Sequence, residues 1–179
     1  MYKIIIGVVI AAAVVIIGFM MIDPKVNTNG TSSNTTETNA DNGKAYTIEG
    51  EVNKPGTYLL SEGISMQDLI TAGGGLTNNA DDLAFFYEAT LKSGSTYYIA
   101  SKFDNTDICN NQEITKVNIN SDTADALTSV NGITSSIASS IVSYRTSNGA
   151  FKTLEQIMEV YGVGNATYRK VRNYITLHA

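Results

Sequence analysis

At 179 residues the chain has room for one or two domains, and with one cysteine, Cys109, and one histidine, His178, it can build neither an internal disulfide nor a zinc site. Nor can an acid–base constellation be assembled from these parts, so no catalytic residue, metal or cofactor is expected and the chain reads as a non-enzyme. The formal net charge of −5 would argue against a nucleic-acid partner if the charges were evenly spread, but they are not. From Val117 onward five basic residues, Arg145, Lys152, Arg169, Lys170 and Arg172, stand against the four acidic residues Asp122, Asp125, Glu155 and Glu159. A balance this slightly positive predicts weak, non-specific contact with phosphate.

Ile4 to Ile22 is an uncharged run rich in Ile, Val, Ala and Gly, long enough as a helix to approach the roughly 30 Å of a bilayer core. It reads as a transmembrane anchor over 1–23. Cleavage after the small residues Ala11-Ala12-Ala13 would leave a strongly apolar new terminus, which favours an uncleaved helix over a signal peptide. Lys3 and the amino terminus keep the short side cytoplasmic, so the rest of the chain is expected outside the membrane. Residues 24–45 are Asn, Thr, Ser, Gly and Asp in the main and read as a disordered tether.

Strand signals begin at Tyr46: Tyr46 to Val52 alternates, Lys54-Pro55-Gly56 turns, and Thr57 to Leu60 resumes. Ser65 and Asp68 open a short helix with Met66, Leu69 and Ile70 on its apolar stripe, and Gly73-Gly74-Gly75 closes it. Those glycines follow a helix instead of opening one, which makes them a stop and not a phosphate cradle. Leu91 to Gly94 turns, and Thr96 to Ile99 gives the last strand. The segment 46–101, with its GEVNKPGTYLL, SMQDLITAGGGLT and LKSGSTYYI, resembles the SLBB module, a small β-grasp-like domain of cell-surface proteins. Residues 102–116 read as a linker.

An internal repeat at an offset of thirty residues occupies 117–179: Leu127 matches Ile157, Val130 matches Val160, Gly132 matches Gly162, Ile133 matches Val163, and Ile141 matches Val171. Each copy reads as helix, glycine turn, helix. The first copy has a helix running from Ser121 to Asn131; the second opens on Thr153 with Gln156 and turns Leu154, Ile157 and Met158 inward. Glycine in such a turn allows close approach to a ligand, and the free N–H groups opening the next helix carry partial positive charge. Main-chain donors of this kind recognise phosphate and not base edges. Candidate DNA-binding residues are therefore Gly132, Ile133 and Thr134 in the first turn, Gly162, Val163 and Gly164 in the second, and Arg169, Lys170 and Arg172 on the helix that follows it.

The repeat, from VNINSDTADAL to RKVRNYITL, resembles the helix-hairpin-helix domain of the ComEA competence family, and an anchor plus SLBB module ahead of it matches that family's layout. The resemblance implies an α+β chain: a single transmembrane helix, a β-grasp-like SLBB domain, and an all-α tandem helix-hairpin-helix domain. It implies a receptor that holds double-stranded DNA outside the membrane and passes it to the DNA-uptake channel machinery, with self-association as a further partnership. The competing expectation is a surface interaction or polysaccharide-binding protein acting through the SLBB-like module. Against the family pattern, Asn131, Thr134 and Ile137 stand at the proline, second glycine and lysine positions of the first hairpin, and Ala166 at the lysine position of the second. The second hairpin is expected to be the main grip and the first impaired.

Overall fold

The computed structural model describes residues 43–104 and 112–179. The expected anchor, the tether up to residue 42, and Cys109 lie outside the described residues. Among the described residues no helix is long and apolar enough to cross a membrane.

The first module is built on β1 (Lys44–Gly50), β2 (Gly56–Leu60) and β3 (Thr96–Ile99), in the order β2-β1-β3. β1 runs antiparallel to β2, with Tyr46 opposite Tyr58, and parallel to β3, with Ile48 opposite Tyr97. The alternation read from the sequence buries Tyr46, Ile48, Tyr58, Tyr97 and Ile99 on one face. A parallel return to β3 needs a crossover, and α1 (Met66–Ala72) lies within it, laying Met66, Leu69 and Ile70 on that buried face. Its start is a reciprocal cap: the Ser65 hydroxyl accepts from the Asp68 N–H at 3.2 Å, and the Asp68 carboxylate accepts from the Ser65 N–H at 2.9 Å. Hydrogen bonds from Ser65 hold the Asp68 carboxyl below its ordinary pKa. At the other end Gly74 and Gly75 have φ of 77° and 87°, and their N–H groups donate to Thr71 and Ile70 carbonyls. With those donors engaged, the glycine run is a helix stop.

The expected linker is structured where it is described. β4 (Phe103–Asp104) pairs antiparallel with β5 (Gln112–Glu113), and Lys116 forms an ion pair with Asp81, both almost fully buried, while also donating to the Ser101 carbonyl. Burial lowers the Lys116 pKa, and the Asp81 carboxylate opposes that shift. The short η1 turn (Asp82–Ala84) lies beside this pair.

The second module is not purely helical. β6 (Val117–Asn118) and β7 (Ile175–Thr176) form a parallel ladder that joins its two ends. Asn120 reinforces the closure, its amide donating to the Phe151 and Leu177 carbonyls at 2.9 and 2.8 Å while its oxygen accepts from the Phe151 N–H at 2.8 Å. Between the ends lie α2 (Ala124–Leu127), α3 (Ser135–Asn148), η2 (Leu154–Glu159) and α4 (Asn165–Val171). The helix expected from Ser121 is a single turn, because the chain tightens to i→i−3 bonds, Ser129 to Ala126 and Val130 to Leu127, before the glycine turn. The element opened by Thr153 is likewise 3₁₀. Leu154 and Ile157 face the core as expected, but Met158 is 39% exposed.

The two modules share apolar packing. Ala84 and Ala100 of the first belong to the core of the second, and Phe86 packs against both cores. His178, expected to be a solvated tail residue, instead hydrogen-bonds the Phe85 carbonyl at 3.0 Å and lies against the Phe86 ring at 4.7 Å. Leu177 donates to the Leu83 carbonyl, so the C-terminal strand is clamped from both sides.

Candidate nucleic-acid interface

The two glycine turns have the same backbone. In the first, Gly132 has φ of 117°, Ile133 donates to the Val130 carbonyl at 3.0 Å, and Thr134 caps α3 with φ −78° and ψ 163°. In the second, Gly162 has φ of 90°, Val163 donates to the Val160 carbonyl at 3.0 Å, and Gly164 caps α4 with φ −99° and ψ 179°. Replacement of the second glycine by Thr134 therefore leaves the hairpin undistorted, since extended backbone of this kind suits any residue. Ile133 and Val163 are buried, and with their N–H groups closing the turns they are plugs of the core.

What distinguishes the turns is side-chain chemistry. The Thr134 hydroxyl accepts from the Ile137 N–H at 3.3 Å and so occupies one of the donors that open α3. No side chain caps α4, and a Cβ added at Gly164 would meet nothing within 4 Å. Gly132 and Gly162 are in the opposite position: a Cβ at Gly132 would lie 3.1 Å from Val171 Cγ1 and 3.2 Å from Lys170 Cδ, and one at Gly162 would lie 3.4 Å from Ile137 Cγ1. Each of these glycines is approached by the second helix of the other hairpin, Gly132 closely and the exposed Gly162 at Ile137 alone.

Ile137 accordingly packs against the core and is not placed as a solvent-facing lysine equivalent. The offset that pairs Thr134 with Gly164 pairs Ser136, which is exposed, with Ala166. Of the basic candidates, Arg169 and Lys170 are exposed, but Arg172 is turned toward the first module. Its guanidinium sits 3.5 Å above the centre of the Tyr98 ring and 3.9 Å from the Glu49 carboxylate. Arg145 donates to the carbonyls of Ile119 and Asp122 at 2.8 and 2.7 Å, a bracing role.

Arg172 is one side of a dock that sequence reasoning missed. Glu155 accepts from the Tyr98 N–H at 2.8 Å and from the Tyr168 hydroxyl at 2.7 Å, covering the open edge of β3. Burial raises the Glu155 pKa, with these hydrogen bonds opposing; burial and the neighbouring Glu155 charge raise that of Tyr168. The Tyr144 hydroxyl donates to Glu159 at 2.6 Å, which pushes its pKa up to about 12. A cleft of about 610 Å³ runs between the modules here, its wall including Tyr97, Tyr98, Glu155, Tyr168 and Arg169. Nothing in the sequence marks Glu155 as a docking group, since Gln156 and Glu159 on the same turn are equally polar.

Two family models match the chain: the SLBB domain over residues 45–100 and the helix-hairpin-helix motif over residues 112–176. The ComE operon protein 1 of Bacillus subtilis is 30% identical over 139 residues, which cover 73% of this chain and 68% of that protein. The chain belongs to the ComEA family. An uncharacterized protein of Haemophilus influenzae is 44% identical over 61 residues, covering 34% of this chain and 54% of its own length. The endonuclease/exonuclease/phosphatase family domain-containing protein 1 of Danio rerio is 40% identical over 58 residues, but the match covers only 10% of that protein. ComEA is a family of DNA-binding competence proteins and not an enzyme family, and this chain's role is DNA binding in competence.

Proposed function

We propose that this ComEA-family chain is a membrane-anchored receptor of the bacterial cell surface that holds double-stranded DNA without sequence preference, outside the membrane, for delivery to the uptake channel, and that it has no catalytic activity of its own. In this reading residues 1–23 anchor the chain, 24–45 tether it, 46–101 form the SLBB module, and 117–179 bind DNA. The observation that carries the reading is the pair of matching glycine turns, each presenting the N–H groups at the start of a helix, with Gly164 open to solvent and α4 uncapped. Gly164, the donors of Asn165 and Ala166, Thr134 and the exposed Arg169 and Lys170 make the contact surface. Gly132, Ile133, Gly162 and Val163 shape it, and Arg172 serves the dock between modules.

Contact of this kind is ionic and main-chain directed, so affinity follows salt and not sequence. With about two phosphates neutralised, by Arg169 and Lys170, the slope of log K against log salt is expected to be about −2. The test is a titration of fluorescent duplexes of several sequences with the purified chain across a salt series. A preference for one sequence exceeding about a hundredfold, well above what phosphate contacts confer, contradicts the reading.

A further inference from the structure

Hairpin 1 has no phosphate-directed cation of its own. Its second helix opens Ser135-Ser136-Ile137, and the one basic residue of that helix, Arg145, has its guanidinium on the Ile119 and Asp122 carbonyls. A basic side chain nevertheless lies on its turn, and it comes from the other hairpin. Lys170 of α4 is exposed, and its Cγ and Cδ run over Gly132, at 3.6 and 3.2 Å from where a Cβ would be. Beyond Cδ only the last methylene and the ammonium remain. Among the described residues no ion pair engages that ammonium.

We propose that Lys170 is the phosphate-binding cation of hairpin 1, supplied across the hairpin pair, so that one DNA phosphate is held jointly by the Ser135 and Ser136 N–H groups and the Lys170 ammonium. This rests on the DNA-binding reading above and names the residue that completes the first of its two contacts. Two features favour the cross-hairpin assignment. The lysine stem passes 3.2 Å from where a Gly132 Cβ would be, so the glycine that permits the turn also leaves room for the cation's close approach. The start of α3 supplies two main-chain donors left free by the Thr134 cap, which bonds only the third. A flexible ammonium acting as a point charge suits a site whose hydrogen-bond geometry is already fixed by the main chain.

The experiment uses the full chain in a mild non-ionic detergent and a short fluorescent duplex, with a salt series for every variant. Lys170→Ala and Lys170→Met are each expected to weaken binding several-fold and to lower the salt slope by about one unit. Met keeps the stem over Gly132, so an equal loss in both variants assigns the effect to the charge. Ser136→Lys supplies the cation from hairpin 1 itself: it should restore affinity and slope in the Lys170→Ala background and add little to the otherwise unchanged chain. Ala166→Lys, at hairpin 2, should add to both backgrounds alike. Binding retained by Lys170→Met, or additive effects of Ser136→Lys and Lys170, overturn the proposal while leaving DNA binding intact. Failure of the unmodified chain to bind duplex at low salt would instead remove the DNA-binding reading itself.

Discussion

The two hairpins share a backbone and differ in what surrounds it. At thirty residues' separation, Asp125 is exposed where Glu155 is tied to Tyr98 and Tyr168, and Val142 stands where Arg172 covers Tyr98. Hairpin 2 is thus fastened to the first module by groups whose equivalents in hairpin 1 face solvent or the core. Thr134 caps its helix from within, whereas Gly164 leaves α4 uncapped. One copy of the repeat caps one donor of its own helix start, and the other leaves its helix start uncapped while carrying the connection between modules. A duplicated motif can keep its turn while one of its copies takes on the link to a neighbouring module.

The largest expected effects come from the two glycines with positive φ. Gly132→Ala combines a positive φ with contacts near 3.1 Å to Val171 and Lys170, and should cost about 2–4 kcal/mol of stability. Gly162→Ala has a positive φ but a single 3.4 Å neighbour, and should cost about 1–2 kcal/mol. Gly164→Ala, with negative φ and open space, should cost at most about 1 kcal/mol, the difference between glycine and alanine at a helix N-cap. Urea unfolding of the three variants gives the order directly. If Gly164→Ala proved the most destabilising, the division by the sign of φ would be wrong.

Binding should follow the reverse order. Gly164→Val places a branched side chain where a phosphate approaches the α4 donors and should weaken DNA binding by about 1.5–3 kcal/mol, the range for hydrogen bonds to a charged group. Thr134→Val removes a cap, and its effect should appear as about 1 kcal/mol of lost stability with a smaller change in binding. Anisotropy and urea melts on the same two variants separate the cases. Binding that survives Gly164→Val but is lost on Thr134→Val would make hairpin 1 the main grip.

The strands, α1 with its Ser65 cap, and the offset of thirty were legible because each rests on local patterning: alternation, a capping pair, a glycine stop. What was not legible was tertiary. No local pattern singles out Asn120, yet its amide joins Phe151 and Leu177, which lie far along the chain. Arg172 reads as one of three equivalent cations, because spacing along a seven-residue helix does not say which side meets β3. The lysine position of hairpin 1 was misread by one residue, setting Ile137 where Ser136 belongs, and on a helix one residue is the distance between core and solvent.

Glu155 offers a smaller, pH-dependent way to sharpen the contrast with Asp125. Its pKa is raised in the folded chain, chiefly by burial, so the folded state holds the proton more tightly than the unfolded one. Stability from this group should therefore increase as pH falls from the raised folded pKa toward the ordinary glutamate value of 4.5, and decline as pH rises through the same window. Glu155→Gln should flatten that dependence, and Asp125→Asn should not. Urea melts of both variants and the unmodified chain between about pH 4 and 7, the span of carboxylate titration, make the comparison. Equal flattening by the two substitutions would show that the dock does not distinguish the hairpins.

The smallest effect belongs to Gly164→Thr, which makes the second turn chemically like the first. Because Gly164 already has the extended backbone of Thr134, the new hydroxyl can accept from the Thr167 N–H as Thr134 accepts from Ile137. Glycine and threonine are similar N-caps, so stability should change by only a few tenths of a kcal/mol. The hydroxyl would, however, occupy one of the donors that open α4, so DNA binding should weaken by less than in Gly164→Val, which obstructs the approach altogether. Ranking the three chains by anisotropy at one salt concentration checks this: unmodified tightest, Gly164→Thr intermediate, Gly164→Val weakest. Should Gly164→Thr bind more tightly than the unmodified chain, a hydroxyl at the turn contributes to the contact, and Thr134 then marks hairpin 1 as adapted to phosphate and not impaired.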